Sequence, residues 1–524
     1  MTEINNNLAA IDLGTNSFHL VVVKPLPHNK FHILDSGKVT VRLGTGAIDL
    51  DAIKEDAMQR GLEAIQYFKK IADSQKAQIH AVATSAVREA RNREDFISLI
   101  EKECGISINV ISGHEEARLI YLGILQALPF YNNQILTIDI GGGSTEFLIG
   151  KQGNVFFSAS LKLGAIRLKD RFFSTEPLKK NHVEKCRRFI RTHLNGILAE
   201  TKNLERELAV ASSGTAETLH MIAMSHFRKK NKNLEIVTKD EIDKIVKLLL
   251  SYDTAKKRLA IDGLDEKRAD IIVGAAILMQ EIMNAFQIPE LHISGYALRE
   301  GIIYDALNRE MDKLSEIRKQ SVIHLAEKFH DPRIPRSGAS LHIADLSIQL
   351  YQECLRIGLI ESSGENDPLL LESAAILHNI GLVIAHSSHH KHSAYIIRNT
   401  EHLTGFNLHE IEIIAQLARY HRKSFPAARH PEFKLLSDTD KKRVEIMSSI
   451  LRIATGLDRS GKGVIKEIHL ELNDSLVTAV LALNEEINDA DPSLEIWSAE
   501  MKSELFEQTF RKKVSFRIHS VSQV

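Results

Sequence analysis

The sequence predicts an α/β protein built from two duplicated lobes, followed by an all-helical domain and a small α+β domain. Three features carry that reading. A strand–turn–strand motif occurs twice. Further segments recur behind it in the same order. Near residue 306 the pattern changes from mixed strands and helices to helices only. The expected boundaries are 1–133 and 134–307 for the lobes, 308–462 for the helical domain and 463–524 for the last domain.

The first copy of the motif is Ala10-Ile-Asp12-Leu-Gly14-Thr15-Asn16-Ser17-Phe18. The second is Thr137-Ile-Asp139-Ile-Gly141-Gly142-Gly143-Ser144-Thr145-Glu146-Phe147. Each is an apolar run ending in Asp, then Gly with Ser or Thr, then another apolar run. Glycine lets the backbone approach a ligand closely and take positive φ. The N–H groups beside it can cradle a phosphate, and the hydroxyls add donors. One such turn is equally an ordinary Gly-Ser-rich hairpin. Two related copies favour a phosphate clamp made of Gly14, Thr15, Asn16 and Ser17 with Gly141, Gly142, Gly143, Ser144 and Thr145.

The repeat continues. Asp139 follows Asp12 by 127 residues, and Val210-Ala-Ser-Ser213 follows Val82-Ala-Thr-Ser85 by 128. Ile293, in His292-Ile-Ser294-Gly295, follows Ile111, in Val110-Ile-Ser112-Gly113, by 182; the second half therefore carries 54 extra residues, matched to the polar, helical-looking stretch around 228–285. Asp51–Ala72 and His114–Ala127 have the apolar spacing of helices, and Gln78–Thr84 and Ile135–Ile140 read as strands. Ligands in open sheets of this kind sit beyond the strand carboxyl ends. Two facing lobes would place both turns around one cleft.

Composition fits an enzyme of ordinary globular character, with 44% hydrophobic and 26% charged residues among 524. A formal net charge of −1 provides no whole-molecule field for a polyanion and argues against nucleic acid as a partner. Cys104, Cys186 and Cys354 are few, separated and odd in number, which suits a reducing compartment and not a disulfide framework. The N-terminal residues lack a basic leader pattern, and no apolar run approaches the roughly 18 residues of a membrane span. A cytoplasmic location is expected.

Chemistry concentrates at Ile111–Arg118. Ser112 and Glu115 have the spacing of a capping box, which would occupy Glu115 with a backbone donor. Glu116 lies about 100° further round the helix and is free for other work. Phosphate hydrolysis needs a group that orients and deprotonates water. The alternative is that both glutamates only favour the helix dipole. Asp139 and Glu146 flank the second turn, where carboxylates beside a phosphate cradle suit Mg²⁺. Asp12 is the symmetric candidate in the first turn. Asp before Gly also simply closes turns, so the structural reading stays open for each. Arg88 follows a strand and can bind two phosphate oxygens at once; a solvated helix arginine is its alternative. Ser213 and Gly214 open a helix whose N-terminus attracts anions, with an ordinary cap as the other reading.

Asp12-Leu-Gly-Thr-Asn-Ser-Phe-His19, Ile111-Ser-Gly-His-Glu-Glu-Ala-Arg118, Asp139-Ile-Gly-Gly-Gly-Ser-Thr-Glu146 and Gly295-Tyr-Ala-Leu-Arg-Glu-Gly301 together resemble the exopolyphosphatase / guanosine pentaphosphate phosphohydrolase family. The resemblance implies two actin-like (ribonuclease H-like) lobes of the actin-like ATPase and sugar-kinase superfamily. It also implies Glu116 as catalytic base, an arginine at Arg88, and a catalytic or metal role for Asp139 and Glu146. It covers residues 8–305 strongly and the remainder more weakly.

Asn308–Gln320 reads as a polar helical linker, and 321–460 as helices carrying His342, His378, His386, His389, His390, His392 and His421. That arrangement resembles the His-Asp metal phosphohydrolase domain, with Leu377-His378-Asn379 where that family has His-Asp. The neutral Asn379 cannot supply a bridging carboxylate, which favours a non-catalytic domain. In the longer exopolyphosphatases a similar domain helps form the substrate channel and the dimer contact. The resemblance thus implies a homodimer, with Arg419-Tyr-His-Arg422-Lys423 lining a channel or forming a solvated face. In the tail, Ile468–Leu472 and Val514–Ile518 alternate as strands, with a helical stretch after Trp497 between them.

The functional expectation is an Mg²⁺-dependent exopolyphosphatase that releases orthophosphate from chain ends. Three alternatives remain: a guanosine pentaphosphate 5′-phosphohydrolase, a sugar-type kinase, and a non-catalytic polyphosphate or alarmone sensor.

Overall fold

The computed structural model describes residues 7–26, 30–44, 52–227, 235–308, 313–329, 339–361, 364, 366–400, 402–487 and 491–519. Asp51, 228–234 and 309–312, which the sequence assigns to helical segments, lie outside them. The chain forms two compact units, Met1–Leu314 and Ser315–Val524.

The first unit contains the duplication. Strands β1 (Leu8–Leu13), β2 (Ser17–Leu26), β3 (Lys30–Thr40), β4 (Gln78–Ala83) and β5 (Ile108–Val110) form a sheet in the order β3-β2-β1-β4-β5. β1 pairs antiparallel with β2 and parallel with β4. The second lobe has β6 (Ile135–Ile140), β7 (Thr145–Lys151), β8 (Asn154–Leu161), β9 (Leu208–Ser212), β10 (Ile236–Thr238) and β11 (Glu290–Ile293), ordered β10-β11-β9-β6-β7-β8. β6 likewise pairs antiparallel with β7 and parallel with β9. The second sheet is thus the first with β10 added at one edge. Part of the extra sequence is not polar at all. The helix Ile272–Ala285 buries nearly every side chain in the second lobe's core, because it is covered on all sides.

Each lobe sheet is covered by amphipathic helices. Glu55–Ser74 buries Ala57, Gly61, Ala64, Ile65, Phe68 and Ala72, a stripe at helical spacing, while Glu55 and Asp56 sit favourably in its first turn. It begins four residues later than the sequence spacing indicates. The helices Gly113–Ala127 and Leu298–Asn308 cross between the lobes. Their backbones approach so closely that a Cβ on Gly301 would stand 1.8 Å from the Leu119 carbonyl oxygen, and one on Gly123 2.2 Å from that of Ala297. Val21, Ile120, Ile124, Leu148, Leu298 and Ile303 make one apolar layer there, joining the lobes.

The second unit is helical from Lys313–Lys328 to Asp438–Leu457 and ends in a three-stranded sheet. That sheet consists of β12 (Ile465–Asn473), β13 (Leu476–Leu483) and β14 (Lys513–Ile518), with β13 central. Sequence alternation identifies β12 and β14. It passes over β13, whose run Leu-Val-Thr-Ala-Val-Leu-Ala-Leu is almost continuously apolar. Trp497 lies inside the helix Ser493–Glu500, not before it, and a second helix, Glu504–Phe510, leads into β14. One core runs from Leu371, Leu417 and Ile450 of the helices into Ile468, Val477 and Leu481 of the sheet. Among the described residues no helix is long and apolar enough to cross a membrane.

Candidate active site

The two repeated turns meet. A Cβ on Gly142 would lie 3.1 Å from the Asn16 backbone nitrogen, so the second turn packs directly on the first. Both border one cavity of about 250 Å³ in the first unit, lined by Gly14–Ser17, Gly141–Ser144, Ser213 and Gly214.

The carbonyls of each turn are held from elsewhere in the unit. The Asn16 oxygen accepts from the N–H groups of Val41 (3.1 Å) and Arg42 (2.9 Å), and the Thr15 oxygen from Gly44 (3.4 Å). In the second turn the Gly141 oxygen accepts from Ala165 N–H (2.9 Å), that of Gly142 from Ile166 N–H (2.9 Å), and that of Gly143 from Arg167 Nε (2.9 Å). Among the described residues the N–H groups of Gly142, Gly143 and Ser144 have no protein acceptor. With the carbonyls tied back, those N–H groups are what the turn has left to give an anion. Thr145 is different: it is fully buried, donates its hydroxyl to the Leu163 carbonyl and does not line the cavity. Ser213 takes positive φ and donates to the Ile140 carbonyl (3.0 Å), fixing its helix against the turn.

Four buried carboxylates gather here. Glu116 lines the cavity and accepts from Arg88 Nη1 at 3.0 Å and from the Thr84 hydroxyl. Arg88 also donates to the Ile111 carbonyl (2.9 Å) and does not line the cavity, so here it holds Glu116. Ser112 is the N-cap, accepting from Glu115 N–H at 3.1 Å. The Glu115 carboxylate makes a bidentate pair with Arg118 (2.7 Å to each oxygen), which also pairs with Asp305. That ion pair, more than a capping box, occupies Glu115. Asp139 accepts from the Ser212 hydroxyl and Glu146 from Ser160 Oγ (2.8 Å). Asp12 Oδ1 has no hydrogen-bond partner although it is buried.

Burial pushes all four carboxylates above the ordinary range. Asp139 rises to about 7 despite the Ser212 hydrogen bond; burial, together with repulsion from Glu116 and Asp139, raises Asp12 and Glu146 well above the ordinary range. Glu116 rises by burial, held back by Arg88 and Thr84. Oxygens short of counter-charge fit a hard cation. Among the described residues no three His, Cys, Asp or Glu side chains are placed to share one ion. A site of one or two protein oxygens completed by substrate and water is the habit of Mg²⁺. Asp139 and Asp12 line the cavity and fit it; Glu146 is buried next to them but does not line the cavity.

Lys38, Arg268 and Arg299 also line the cavity, with His19 and the acids Glu217 and Glu300; Arg299 pairs with Glu300 at 2.6 Å and Arg268 with Asp265 at 3.6 Å. Burial and these three cations lower His19 to about 3, so its imidazole is neutral. Arg268 packs on Gly214, where a Cβ would lie 2.0 Å from its Nη2. Arg299 stands in the quoted motif Gly295–Gly301 without a role read from it, and sequence motifs mark neither Lys38 nor Arg268.

In the second unit the histidines do cluster. The ring of His378 lies 4.9 Å from that of His421, which stacks at 5.5 Å on His389, with His386 and His390 within 6.4 Å of their neighbours. His342 instead lies against Gly463, and His392 has no ring contact among the described residues. Burial lowers His378 and His390 to about 4, so both are neutral at pH 7. Asn379, in the place of the aspartate of a His-Asp pair, occupies the N-cap position of the short helix Ile380–Val383 without making a side-chain capping bond.

Known proteins resemble this chain along most of its length. The profile of the Ppx/GppA phosphatase family matches residues 21–310, and that of Ppx/GppA phosphatase domain III matches 317–502. A guanosine-5'-triphosphate,3'-diphosphate pyrophosphatase of Pseudoalteromonas translucida is 33% identical over 420 residues, 80% of this chain and 81% of that one. Its counterpart from Aliivibrio fischeri is 31% identical over 448 residues, 85% of each chain. Among solved structures, an exopolyphosphatase from Cytophaga hutchinsonii is 32% identical, with a TM-score of 0.54, covering 58% of this chain and 98% of that one. The Aquifex aeolicus Ppx/GppA family member, at 24% identity and a TM-score of 0.50, shares the fold.

Proposed function

The chain belongs to the Ppx/GppA phosphatase family, and from that premise we propose that it is an exopolyphosphatase releasing orthophosphate from the ends of inorganic polyphosphate. The observation that carries the proposal is the convergence of the two repeated turns and Glu116, held from behind by Arg88, on one cavity.

The terminal phosphoryl sits against the N–H groups of Gly142, Gly143 and Ser144, with Gly14–Ser17 facing it. Water bound beside Glu116 gives its proton to the carboxylate as it attacks the terminal phosphorus. The bridging P–O bond breaks, orthophosphate leaves, and the chain is one phosphate shorter. A carboxylate raised by burial suits a base working near neutral pH. Arg88 orients it and neutralises it between turnovers. Lys38, Arg268 and Arg299 attract the phosphates that follow the terminal one. Bound Mg²⁺ would supply charge neutralisation for the phosphoryl oxygens, held by Asp139 and Asp12.

A second reading, hydrolysis of guanosine pentaphosphate at its 5′-terminal phosphate, is favoured by the names of the relatives from Pseudoalteromonas and Aliivibrio. Both substrates end in the same phosphoryl group. Orthophosphate release from each, in wild type and Glu116→Gln, tests the account. The substitution should lower kcat by about 10²–10⁴-fold, the range for general acid–base catalysis, while tripolyphosphate still binds. Near-normal turnover would remove Glu116 from the mechanism, and tight binding of both ligands without any turnover would make the protein a sensor.

A further inference from the structure

We propose that Arg167 is a positioning residue that locks the glycine-rich turn of the second lobe to the Arg88–Glu116 pair of the first. The inference rests on the catalytic reading above and names how its two halves are kept in register.

Arg167 stands in the helix Ala165–Phe172, packed behind the turn. Gly164 must precede it, because a Cβ there would fall 2.3 Å from the Gly142 oxygen and 2.5 Å from the Gly143 carbonyl carbon. The first residues of the helix bind the carbonyls of Gly141 and Gly142 through their main chain. The third carbonyl, that of Gly143, is bound by the Arg167 side chain through Nε at 2.9 Å. The same guanidinium donates through Nη2 to Glu89 Oε1 at 3.0 Å. Glu89 belongs to the first lobe, in the short helix Ser85–Glu89 that also carries Arg88. Burial would raise Glu89, but Lys162, Arg167 and Ser85 together hold it below the ordinary carboxylate range, so it is an anion.

One planar fork therefore spans the lobes. One edge sets the peptide that orients the Gly143–Ser144 amide; the other sets the residue next to the arginine that holds the catalytic base. Among the described residues other ion pairs also join the lobes: Lys38–Asp265 at 3.9 Å and Arg42–Asp270 at 3.2 Å, about one third exposed, Lys162–Glu89 at 2.8 Å with an exposed lysine, and the buried Arg118–Asp305 at 2.7 Å, which ties the two crossing helices and not the turn. Water screens the exposed ones. Arg167 and Glu89 are 9% and 12% exposed, so their bridge keeps its geometry. Lysine cannot replace it, since a single ammonium does not offer two donors at the fixed angle of a guanidinium.

The test uses the full chain with tripolyphosphate. Arg167→Gln and Arg167→Lys should each lower kcat about 10- to 100-fold, with KM changed less than threefold, because the phosphoryl group is still bound but misaligned. Hydrogen–deuterium exchange of the peptide covering 141–145, without substrate, should speed up in both variants while the helical unit is unchanged. Adding Glu89→Gln to Arg167→Gln should cost little more than Arg167→Gln alone, as expected of one bridge. Arg167→Lys keeps the charge and the helix, so it reports on geometry even if Arg167→Gln folds poorly. Unchanged kcat in Arg167→Lys, or faster exchange at 141–145 with full kcat, would overturn the proposal, as would additive losses in the double variant. Because exchange is read without turnover, a wild type that hydrolyses neither substrate would sink the catalytic reading and leave the bridge itself to be judged by exchange.

Discussion

Replacing Asp139 by asparagine should stabilise the metal-free protein at alkaline pH while abolishing hydrolysis. Burial raises the Asp139 carboxyl from 3.8 to about 7 in the folded protein. A group with a raised folded pKa binds its proton more tightly in the native state. Its favourable contribution is complete below about 3.8 and is lost as pH climbs through about 7. The interval of about three pKa units corresponds to roughly 4 kcal/mol, which the ionised, unpaired carboxylate costs the fold above pH 8. Asparagine carries no such cost and can still accept from Ser212. The stability gap between Asp139→Asn and wild type should thus be near zero at pH 4 and grow to several kcal/mol at pH 8. Thermal unfolding in chelator across pH 5–8 measures it. Mg²⁺ added at pH 8 should raise the midpoint of wild type more than that of the variant, since the cation relieves the same repulsion. A variant less stable than wild type at pH 8, or a gap independent of pH, would refute this view of the site.

Other outcomes follow from the same geometry. Gly164→Ala forces a Cβ into the Gly142–Gly143 backbone and should cost about 1–3 kcal/mol of stability together with most phosphatase activity, read by unfolding midpoint and phosphate release. Arg268→Ala removes a cation from the cavity wall, so KM for tripolyphosphate should rise about tenfold and depend less steeply on salt. Independently of that geometry, the resemblance to the longer exopolyphosphatases predicts that substituting Arg422 and Lys423 together should shorten uninterrupted degradation of long polyphosphate while sparing short chains, as resolved on a gel. Unchanged chain-length dependence would take them out of the substrate path.

The parts of the site that the sequence discloses are those encoded by neighbours in the chain. Asp12 and Asp139 each sit one turn from their glycines, and the duplication doubles that signal. Ser112, Glu115 and Glu116 fall within one helical turn, so the cap and the free carboxylate can be counted out. What is missing from such reading comes from distant segments. Arg268 lies in the added stretch of the second lobe, Lys38 on an edge strand, and Arg167 reaches Glu89 across 78 positions. None has a local pattern to announce it. Arg118 is a different case. It stands three residues from Glu115, close enough to pair, and the capping-box spacing hides that competing partner. The fold follows the same division. Alternation reveals β12 and β14, whereas β13, apolar on both faces although only half of its residues are fully buried, and the helix Ile272–Ala285, buried nearly all round, lack the periodicity that marks a half-exposed element.

A grip made of peptide groups gives evolution nothing to edit directly. Glycine amides have no side chain of their own to change, so the hold on a terminal phosphoryl can be altered only through the residues that brace it, Gly164 and Arg167 among them. Such a grip is also indifferent to what trails behind, whether a mineral polymer or a nucleotide. On the proposed reading, a preference between the two would rest on the lining cations Lys38, Arg268 and Arg299, which single substitutions can change.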